Sequence, residues 1–292
     1  MSKLPVVVTG ATGLIGTHLT KLLKSKGYEV ILVTRKNGLD VCNAETLKGL
    51  PPFSALFHLA AYTYVPDSYT KTAEFFNTNI TGTVNTLELC KRNKAKFIYA
   101  GSYVYGQPQY LPVDEKHPTV LWNPYASSKI ICEQLCQSYS KEFGIQSTSL
   151  RIFNVYGEGQ NSTFLISKII DGIKKGKLEL ETSTPKRDFV NVADIADAFV
   201  RAAESDKEGF NAYNVGSGKS YSVAEIVDMV KQILGSNLTV HYNNTVRPTE
   251  VPDVVCNYSK IKEELGWTPQ ISFMDGLRML CEESLSGAEL KK

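Results

Sequence analysis

The chain has 292 residues, of which 42% are hydrophobic and 21% are charged, as in ordinary globular proteins with one large domain or two moderate ones. Lys and Arg (32) nearly balance Asp and Glu (30), and a net charge of +2 argues against the basic face that nucleic-acid or membrane partners need. No apolar run reaches the ~18 residues of a membrane span, and no export signal is recognisable, so we expect a cytoplasmic protein.

The first half of the chain alternates short apolar runs with segments of helical periodicity. Strands are predicted at residues 4–9, 29–34, 55–59, 96–100 and 146–152, and helices at 14–26, 79–93 and 125–143. This alternation is typical of a parallel sheet covered by helices on both faces.

The pattern becomes less regular after about residue 153. Helices are predicted at 164–174, 192–204, 223–234, 258–265 and from 273 onward, with one strand at 188–192. No linker rich in Pro, Gly or Ser interrupts the chain, so we expect two lobes in one continuous body.

A glycine-rich turn joins the first predicted strand to the first predicted helix. Gly10 allows a tight turn, Gly13 lets the backbone approach a pyrophosphate, and Gly16 lets the helix pack closely against the strand. The helix N-terminus then offers free N–H groups to the phosphates. A tight turn without a ligand is the alternative interpretation.

The end of the second strand selects the cofactor in such sites. An acidic residue there would bind the ribose 2′-hydroxyl of NAD, but the sequence has Thr34, Arg35 and Lys36. Two cations suit the 2′-phosphate of NADP, so NADP is favoured over NAD. The alternative is that the basic pair is a solvated turn.

Tyr125 and Lys129 have the spacing of residues on one face of a helix. A tyrosine titrates near ~10, but a neighbouring ammonium and a positive nicotinamide both favour the phenolate, so the pair can move a proton on or off a hydroxyl or carbonyl. A chance surface pair is the alternative.

The histidines and cysteines offer no competing chemistry. We interpret His58 as a packed residue and His117 as a solvent-facing loop residue. The six cysteines form no CxxC pair and have no histidine at metal-ligand spacing, so we expect free thiols, a reducing compartment and no metal site.

Nine segments, in order, carry a resemblance to the extended short-chain dehydrogenase/reductase family, in particular to its nucleotide-sugar epimerase, dehydratase and reductase branch. They are GATGLIG at 10–16, HLAA at 58–61, NTNITGT at 77–83, SYVYG at 102–106, NPYASSK at 123–129, LRIFNVYG at 150–157, RDFVNVADIADA at 187–198, NVGSG at 214–218 and RPTEVPD at 247–253.

We therefore predict an α/β fold with a Rossmann-type doubly wound parallel sheet and a smaller C-terminal α/β substrate lobe. The Rossmann domain would comprise residues 1–153 and a returning segment near 188–215. The nucleotide-sugar lobe would comprise residues 154–187 and 216–292.

The resemblance also implies residue roles. Tyr125 would be the acid/base, Lys129 would orient it and hold the nicotinamide ribose, and Ser102 would bond the reacting oxygen. The positions assigned to the cofactor are Gly10, Thr12, Gly13, Leu14, Ile15, Gly16, Thr34, Arg35, Lys36, Asp40, Val41, Leu59, Ala60, Ala61, Asn79, Tyr125, Lys129 and Ile152, with Asp40 and Val41 at the adenine. Those assigned to the substrate are Tyr62, Ser102, Tyr103, Asn154, Arg187 and Arg247, with Asn154 and both arginines at the diphosphate.

Two departures from the family pattern matter. The usual place of the catalytic Ser or Thr, five residues before the glycine of the YG pair, is Gly101, so we assign the role to Ser102. Tyr103 and Val104 stand where dehydratases carry an acidic pair, which disfavours dehydration, and Tyr103 replaces the cysteine of fucose-synthase-type enzymes.

The resemblance thus implies hydride transfer at C4 of a nucleotide diphosphate sugar. We favour an NADPH-dependent 4-keto-(6-deoxy)hexose 4-reductase. An NAD-dependent 4-epimerase is the alternative, and a non-catalytic NAD(P)-sensing protein is a remote one. By analogy the protein would form a homodimer through helices near 84–94 and 125–142.

Overall fold

The computed structural model describes residues 4–245 and 250–289. The strands are β1 Val6–Thr9, β2 Val30–Val33, β3 Ala55–His58, β4 Lys96–Ser102, β5 Ser147–Ile152, β6 Asn154–Tyr156, β7 Glu179–Leu180, β8 Lys186–Asn191, β9 Phe210–Val215, β10 Ser220–Ser222 and β11 His241–Tyr242. The helices are α1 Leu14–Ser25, α2 Ala44–Leu47, α3 Val65–Thr70, α4 Thr72–Phe76, α5 Gly82–Asn93, α6 Pro124–Phe143, α7 Leu165–Lys174, α8 Val192–Glu204, α9 Val223–Leu234, α10 Ser259–Leu265 and α11 Phe273–Glu289.

Six strands form one parallel sheet in the order β2-β1-β3-β4-β5-β9. This confirms the predicted doubly wound architecture. The predicted helix at 79–93 begins inside a single π-helical turn, Asn77–Thr81, and α5 follows directly from Gly82. β4 continues two residues beyond its predicted end and brings Ser102 into the sheet.

Helices cover both faces of this sheet, and two apolar cores result. On one face Leu19 of α1 and Phe199 of α8 are fully buried against β1 and β3. On the other face Leu87 of α5 and Cys132 of α6 are fully buried. Both faces of the strands are therefore apolar, which explains their uninterrupted hydrophobic runs.

The smaller lobe contains the three-stranded sheet β10-β8-β6 and the pair β11-β7. Its core lies between α7, α9 and α11, where Ile169, Ile226 and Leu277 are fully buried.

The sheet topology refines the division between the lobes. β8 pairs with β6 and β10 in the smaller sheet, so within the predicted returning segment 188–215 only β9 joins the large sheet. After β9, α10 and the buried Trp267 pack into the core of the large sheet, although residues 216–292 were predicted in the smaller lobe.

The strand order places a crevice at one edge of the large sheet. From β1 the chain moves outward to β2 and then returns to β3 on the opposite side of β1. In open parallel sheets such a reversal leaves a crevice at the carboxyl ends of the strands, and ligands bind there. The segments that follow β1, β3 and β4 therefore meet in one place.

A single buried carboxylate, Asp188, joins the smaller sheet to two loops. Its Oδ1 accepts from the backbone N–H and the hydroxyl of Ser217, each at 2.7 Å. Its Oδ2 accepts from the N–H of Gly218 at 2.8 Å and of Cys256 at 3.0 Å. All four donors would lose their partner if this side chain were removed.

The structure corrects the interpretation of one histidine. His117 was predicted to face solvent, but it is only 3% exposed. Its Nε2 accepts from the N–H of Gln109 at 2.8 Å, and its ring lies between Tyr105 and Tyr110. The polar flanks of the loop gave no sign of these contacts. Within the described ranges, no helix is both long and apolar enough to cross a membrane.

We predict that Asp188→Ala lowers the free energy of unfolding by at least about 3 kcal/mol, because it leaves several buried donors unsatisfied. Urea denaturation measures the effect. The control Asp197→Ala breaks a half-exposed pair with Arg201 and should cost less than about 1 kcal/mol. Equal losses in the two variants would contradict the role given to Asp188.

Candidate active site

The turn after β1 requires glycine at two positions. Gly10 has φ +65°, and a Cβ there would lie 2.7 Å from the backbone N of Ala60. A Cβ on Gly16 would lie 2.8 Å from the Cα of Ala11. At Gly10 the turn is therefore in close backbone contact with the segment after β3, and at Gly16 α1 packs closely on the turn itself.

The N-terminus of α1 opens on this turn without a cap. Gly13 is the N-cap residue, no side chain caps the helix, and its first turn contains no acidic residue. The first N–H groups of a helix have no partner within the helix and favour anions. A pocket of about 210 Å³ at this end is lined by Thr12, Gly13, Leu14, Thr17, His18, Lys21, Glu158 and Gly159.

The basic pair after β2 is fully presented to solvent. Thr34 accepts a hydrogen bond from the N–H of Asn37 and so begins a short 3₁₀ turn, Arg35–Asn37. Arg35 and Lys36 are exposed, and neither forms an ion pair within the described part of the chain. Their charges are thus available to a ligand at the end of β2.

The two residues predicted at the adenine are already engaged with the protein. The Asp40 carboxylate accepts from the N–H of Cys42 at 2.9 Å. Val41 is buried, and its carbonyl accepts from the Asn85 amide at 2.7 Å. They fix the shape of this end of the crevice, and Val41 has little surface left for direct contact.

The segment after β3 is held by buried side chains. The Thr9 hydroxyl accepts from the N–H groups of Leu59 and Ala60. The Asn79 amide exchanges two hydrogen bonds with the backbone of Tyr62 and donates to the Ser128 hydroxyl at 2.8 Å. Asn79 is 1% exposed, so it supports residues 59–62 from behind rather than presenting a free amide to the cofactor.

His58, at the end of β3, is a packed residue, as predicted. It is 2% exposed, and its ring nitrogens lie 2.9 Å from the Thr9 hydroxyl and 3.1 Å from that of Thr83. Burial, with a contribution from the Lys129 charge, lowers its pKa to about 3. It therefore stays neutral and is not a base for the site.

Tyr125 and Lys129 lie in the first turns of α6. Asn123 caps this helix by accepting from the N–H of Ala126, and Pro124 fills the first helical position. The Lys129 ammonium is 6.0 Å from the centre of the Tyr125 ring and donates to the carbonyl of Ala100 at 2.9 Å. The helix thus holds both groups at the end of β4.

The electrostatics of this pair follow from burial. Burial raises the pKa of Tyr125 to about 12, although a hydrogen bond with Ser102 acts in the opposite direction. Burial lowers the pKa of Lys129, which is 4% exposed, to about 8. The phenol is therefore a proton donor at neutral pH, and the lysine still carries most of its charge.

The end of β4 explains why the serine is at position 102. A Cβ at Gly101 would lie 2.6 Å from the Ser149 hydroxyl, which bonds the Glu133 carboxylate of α6. Ser102, the next residue of β4, has its side chain on the opposite face of the strand, and its interaction with Tyr125 acts to lower the pKa of the phenol. Neighbouring Ile152 is buried at the end of β5, directly opposite Ser102.

Three of the predicted substrate residues lie after β4, in β6 and in β8, namely Tyr103, Asn154 and Arg187. The Tyr103 ring stacks on Phe153 at 4.7 Å, and its hydroxyl donates to Asn154 at 3.1 Å. The Asn154 amide donates to the carbonyl of Asp188 at 3.2 Å. Arg187 pairs with the Glu250 carboxylate and donates to the carbonyl of Val251. Arg247 lies outside the described residues.

Sequence reasoning missed an ion pair behind the site. Arg151 of β5 donates to both carboxylate oxygens of Glu133 on α6. Arg151 lies inside the segment LRIFNVYG and Glu133 follows NPYASSK by four residues, but no local pattern pairs them. Across the described ranges, no group of three or more His, Cys, Asp or Glu side chains could hold a metal ion.

The profile of the NAD-dependent epimerase/dehydratase family matches residues 6–216. The chain belongs to this family. A putative UDP-glucose 4-epimerase of Methanocaldococcus jannaschii is 32% identical and aligns over 94% of this chain and 96% of its own. GDP-6-deoxy-D-mannose reductase of Pseudomonas aeruginosa is 29% identical over 94% and 95%. The structure of Thermotoga maritima UDP-glucose 4-epimerase with UDP-glucose matches with a TM-score of 0.91 at 27% identity, covering 97% and 99%.

The residues present fit the dinucleotide of the epimerase/dehydratase family. The uncapped α1 N-terminus and the glycine turn leave space for a diphosphate. The turn after β2 would hold the adenosine ribose, and the Lys129 ammonium, beside Tyr125, would meet the nicotinamide ribose. Bound there, the nicotinamide would supply or accept a hydride next to the Tyr125 hydroxyl.

Burial of Lys129 makes the stability of this epimerase/dehydratase family member depend on pH. Its folded-state pKa of about 8 lies below the ordinary value of 10.5. Between these values the unfolded chain binds more protons, so stability rises with pH across this window. We predict an increase of about 2 kcal/mol between about pH 7 and about pH 9.5 that is specific to Lys129.

Urea denaturation gives the free energy of unfolding of wild type and of Lys129→Met at both pH values. The contribution of Lys129 is the amount by which the difference between the two proteins changes with pH. Lys141→Met, at the exposed far end of α6, is the control and should keep the wild-type pH dependence. The interpretation would be wrong if Lys129→Met also kept it.

Proposed function

We propose that this protein is an NADPH-dependent reductase that transfers a hydride to C4 of a nucleotide diphosphate 4-keto-(6-deoxy)hexose. The observation that carries the choice of cofactor is the end of β2. An acid that would bind a ribose 2′-hydroxyl is missing, and Arg35 and Lys36 extend into solvent without an ion pair among the described residues. Guanidinium and ammonium groups bind phosphate strongly, so a 2′-phosphate suits this turn.

The protonation states of Tyr125 and Lys129 support reduction. With its pKa raised to about 12, Tyr125 begins the cycle protonated. The sugar carbonyl oxygen would accept hydrogen bonds from the hydroxyls of Tyr125 and Ser102. A dinucleotide bound there would supply the hydride for the carbonyl carbon. Tyr125 would give its proton to the carbonyl oxygen, and the charged Lys129 would stabilise the phenolate that remains.

The substrate proposal rests on the side of the site beyond Tyr103. Arg187 lies near the start of β8, the central strand of the smaller sheet, and its guanidinium pairs with the Glu250 carboxylate. An anion recognition site of this kind suits the diphosphate of a nucleotide sugar. UDP-glucose is present in the related Thermotoga maritima structure.

A 4-epimerase is the second candidate, and the comparisons favour it. The Methanocaldococcus jannaschii relative is named a putative UDP-glucose 4-epimerase. In that reaction Tyr125 would first accept the proton of the C4 hydroxyl and later return it, while hydride leaves one face of the sugar and returns to the other. The raised pKa of Tyr125 makes this first step harder unless bound nicotinamide lowers it.

We also propose a cytoplasmic homodimer. All six cysteines are free thiols, which agrees with a reducing compartment. The dimer contact proposed through α5 and α6 is based on family analogy, and sedimentation of the purified protein tests it.

Turnover of free cofactor distinguishes the candidate functions. We predict that the protein oxidises NADPH in step with reduction of a nucleotide diphosphate 4-keto-6-deoxyhexose, and that Tyr125→Phe abolishes this. Interconversion of UDP-glucose and UDP-galactose without net NADPH oxidation would make the protein an epimerase. Full cellular function in Tyr125→Phe would favour the non-catalytic sensor.

The cofactor preference has its own test. We predict that Arg35→Ala/Lys36→Ala lowers kcat/KM for NADPH about 10- to 100-fold and leaves that for NADH unchanged, because two charge-assisted phosphate contacts are lost. The control Lys24→Ala/Lys26→Ala removes the same charge at the opposite end of α1 and should change neither value. Equal losses for both cofactors in the first variant would refute a 2′-phosphate site.

A further inference from the structure

We propose that the Glu133–Arg151 ion pair is a positioning device that sets the geometry of Ser102, Tyr125 and Lys129. The kinetic part of this inference rests on the proposed function. Within the described residues, neither Glu133 nor Arg151 forms a hydrogen bond with Tyr125 or Lys129. Both are connected to the elements that carry these groups.

The first connection is to the helix. Tyr125, Lys129 and Glu133 are spaced by four residues on α6 and so share one face. The Arg151 Nε donates to both Glu133 oxygens at 3.1 and 3.2 Å. The Ser149 hydroxyl donates to the same carboxylate at 2.7 Å. The helix face that carries the acid/base pair is therefore held to β5.

The second connection is to the segment that carries Ser102. In the sheet Arg151 lies opposite Gly101, one position before Ser102. The Arg151 Nη1 donates to the Tyr105 hydroxyl at 2.9 Å and to the Glu115 carbonyl at 3.1 Å. Tyr105 in turn donates to Asn214 of β9. Arg151 thus adjoins Gly101 through the sheet backbone, and its guanidinium holds the loop that follows Ser102.

The chemistry of the pair suits positioning better than stabilisation. Its side chains are 11% and 17% exposed, so both charges are largely desolvated. Buried ion pairs often stabilise a fold no better than apolar residues of similar size. A planar guanidinium bonded to a carboxylate does fix distance and angle, which a lysine or an apolar contact does not.

The same cluster accounts for the missing side chain at position 101. The Ser149 hydroxyl, which Glu133 holds in place, occupies the space that a Cβ at Gly101 would need. The hydroxyl that interacts with Tyr125 belongs instead to Ser102, the next residue of β4. The ion pair and the shifted serine are parts of one arrangement.

The decisive variants separate position from stability. Glu133→Leu/Arg151→Met replaces the pair by an apolar contact, and Arg151→Lys keeps the charge without the planar fork. We expect both to lower kcat by about 10- to 100-fold with KM within about twofold, even where the double variant unfolds at the wild-type urea concentration. A double variant with both the kcat and the stability of wild type would overturn the proposal.

A double-mutant cycle with Ser102→Ala provides a readout that a structural role would not move. If the ion pair positions Ser102, Ser102→Ala should cost at least about tenfold less in the Arg151→Lys background than in wild type. Independent, multiplying effects would count against positioning. The control Glu264→Gln removes contacts to Lys207 and Tyr213 at the far edge of the sheet and should multiply with Ser102→Ala.

A stability measurement tests the proposal without enzyme activity, and it applies even if neither reductase nor epimerase turnover is found. In Arg151→Lys the pH dependence of stability that is specific to Lys129 should fall by more than half, because a loosened α6 lets water reach the ammonium. An unchanged pH dependence would contradict the proposal. Missing turnover with this shift present would instead count against the proposed function alone.

Discussion

The parallel direction of the six strands in the large sheet is the constraint on which the site depends. Because every strand runs the same way, Thr9, His58 and Ser102 all reach the same edge. The chain reverses its direction of travel across the sheet between β1 and β3, and the glycine turn there contacts the backbone of Ala60. Crevice, uncapped helix and serine are consequences of this one arrangement.

Within this frame the half-buried Tyr125 and the buried Lys129 on α6 set the chemistry. Burial acts on Tyr125 and Lys129 in opposite directions, because it disfavours the charged form of each group. The result is a neutral phenol beside an ammonium that has lost solvation. When negative charge develops on a neighbouring oxygen, the phenol can donate its proton to that oxygen. The ammonium then stabilises the phenolate that is formed.

Local patterns in the sequence were sufficient for some features and insufficient for others. Glycines in a strand-to-helix turn and a Tyr-Lys pair four residues apart are encoded within a few residues, and the structure has them on the predicted elements. Contacts such as Asp188 with Cys256, or Arg187 with Glu250, join residues more than 60 positions apart. Periodicity carries no information about such partners. The loop around His117 gave the wrong answer for another reason, because its polar composition does not show that the ring packs against Tyr105 and Tyr110.

The polar groups behind the site show why position 101 differs from the family pattern. A hydroxyl at 101 would need the volume that the Ser149 side chain occupies, and Ser149 is fixed by the charge of Glu133. Moving the serine by one residue turns it to the opposite face of the strand, since successive side chains alternate. Its hydroxyl still interacts with Tyr125 from there. A one-residue departure that looks like a lost catalytic group therefore leaves the hydroxyl beside Tyr125, provided that α6 and β4 keep their present separation.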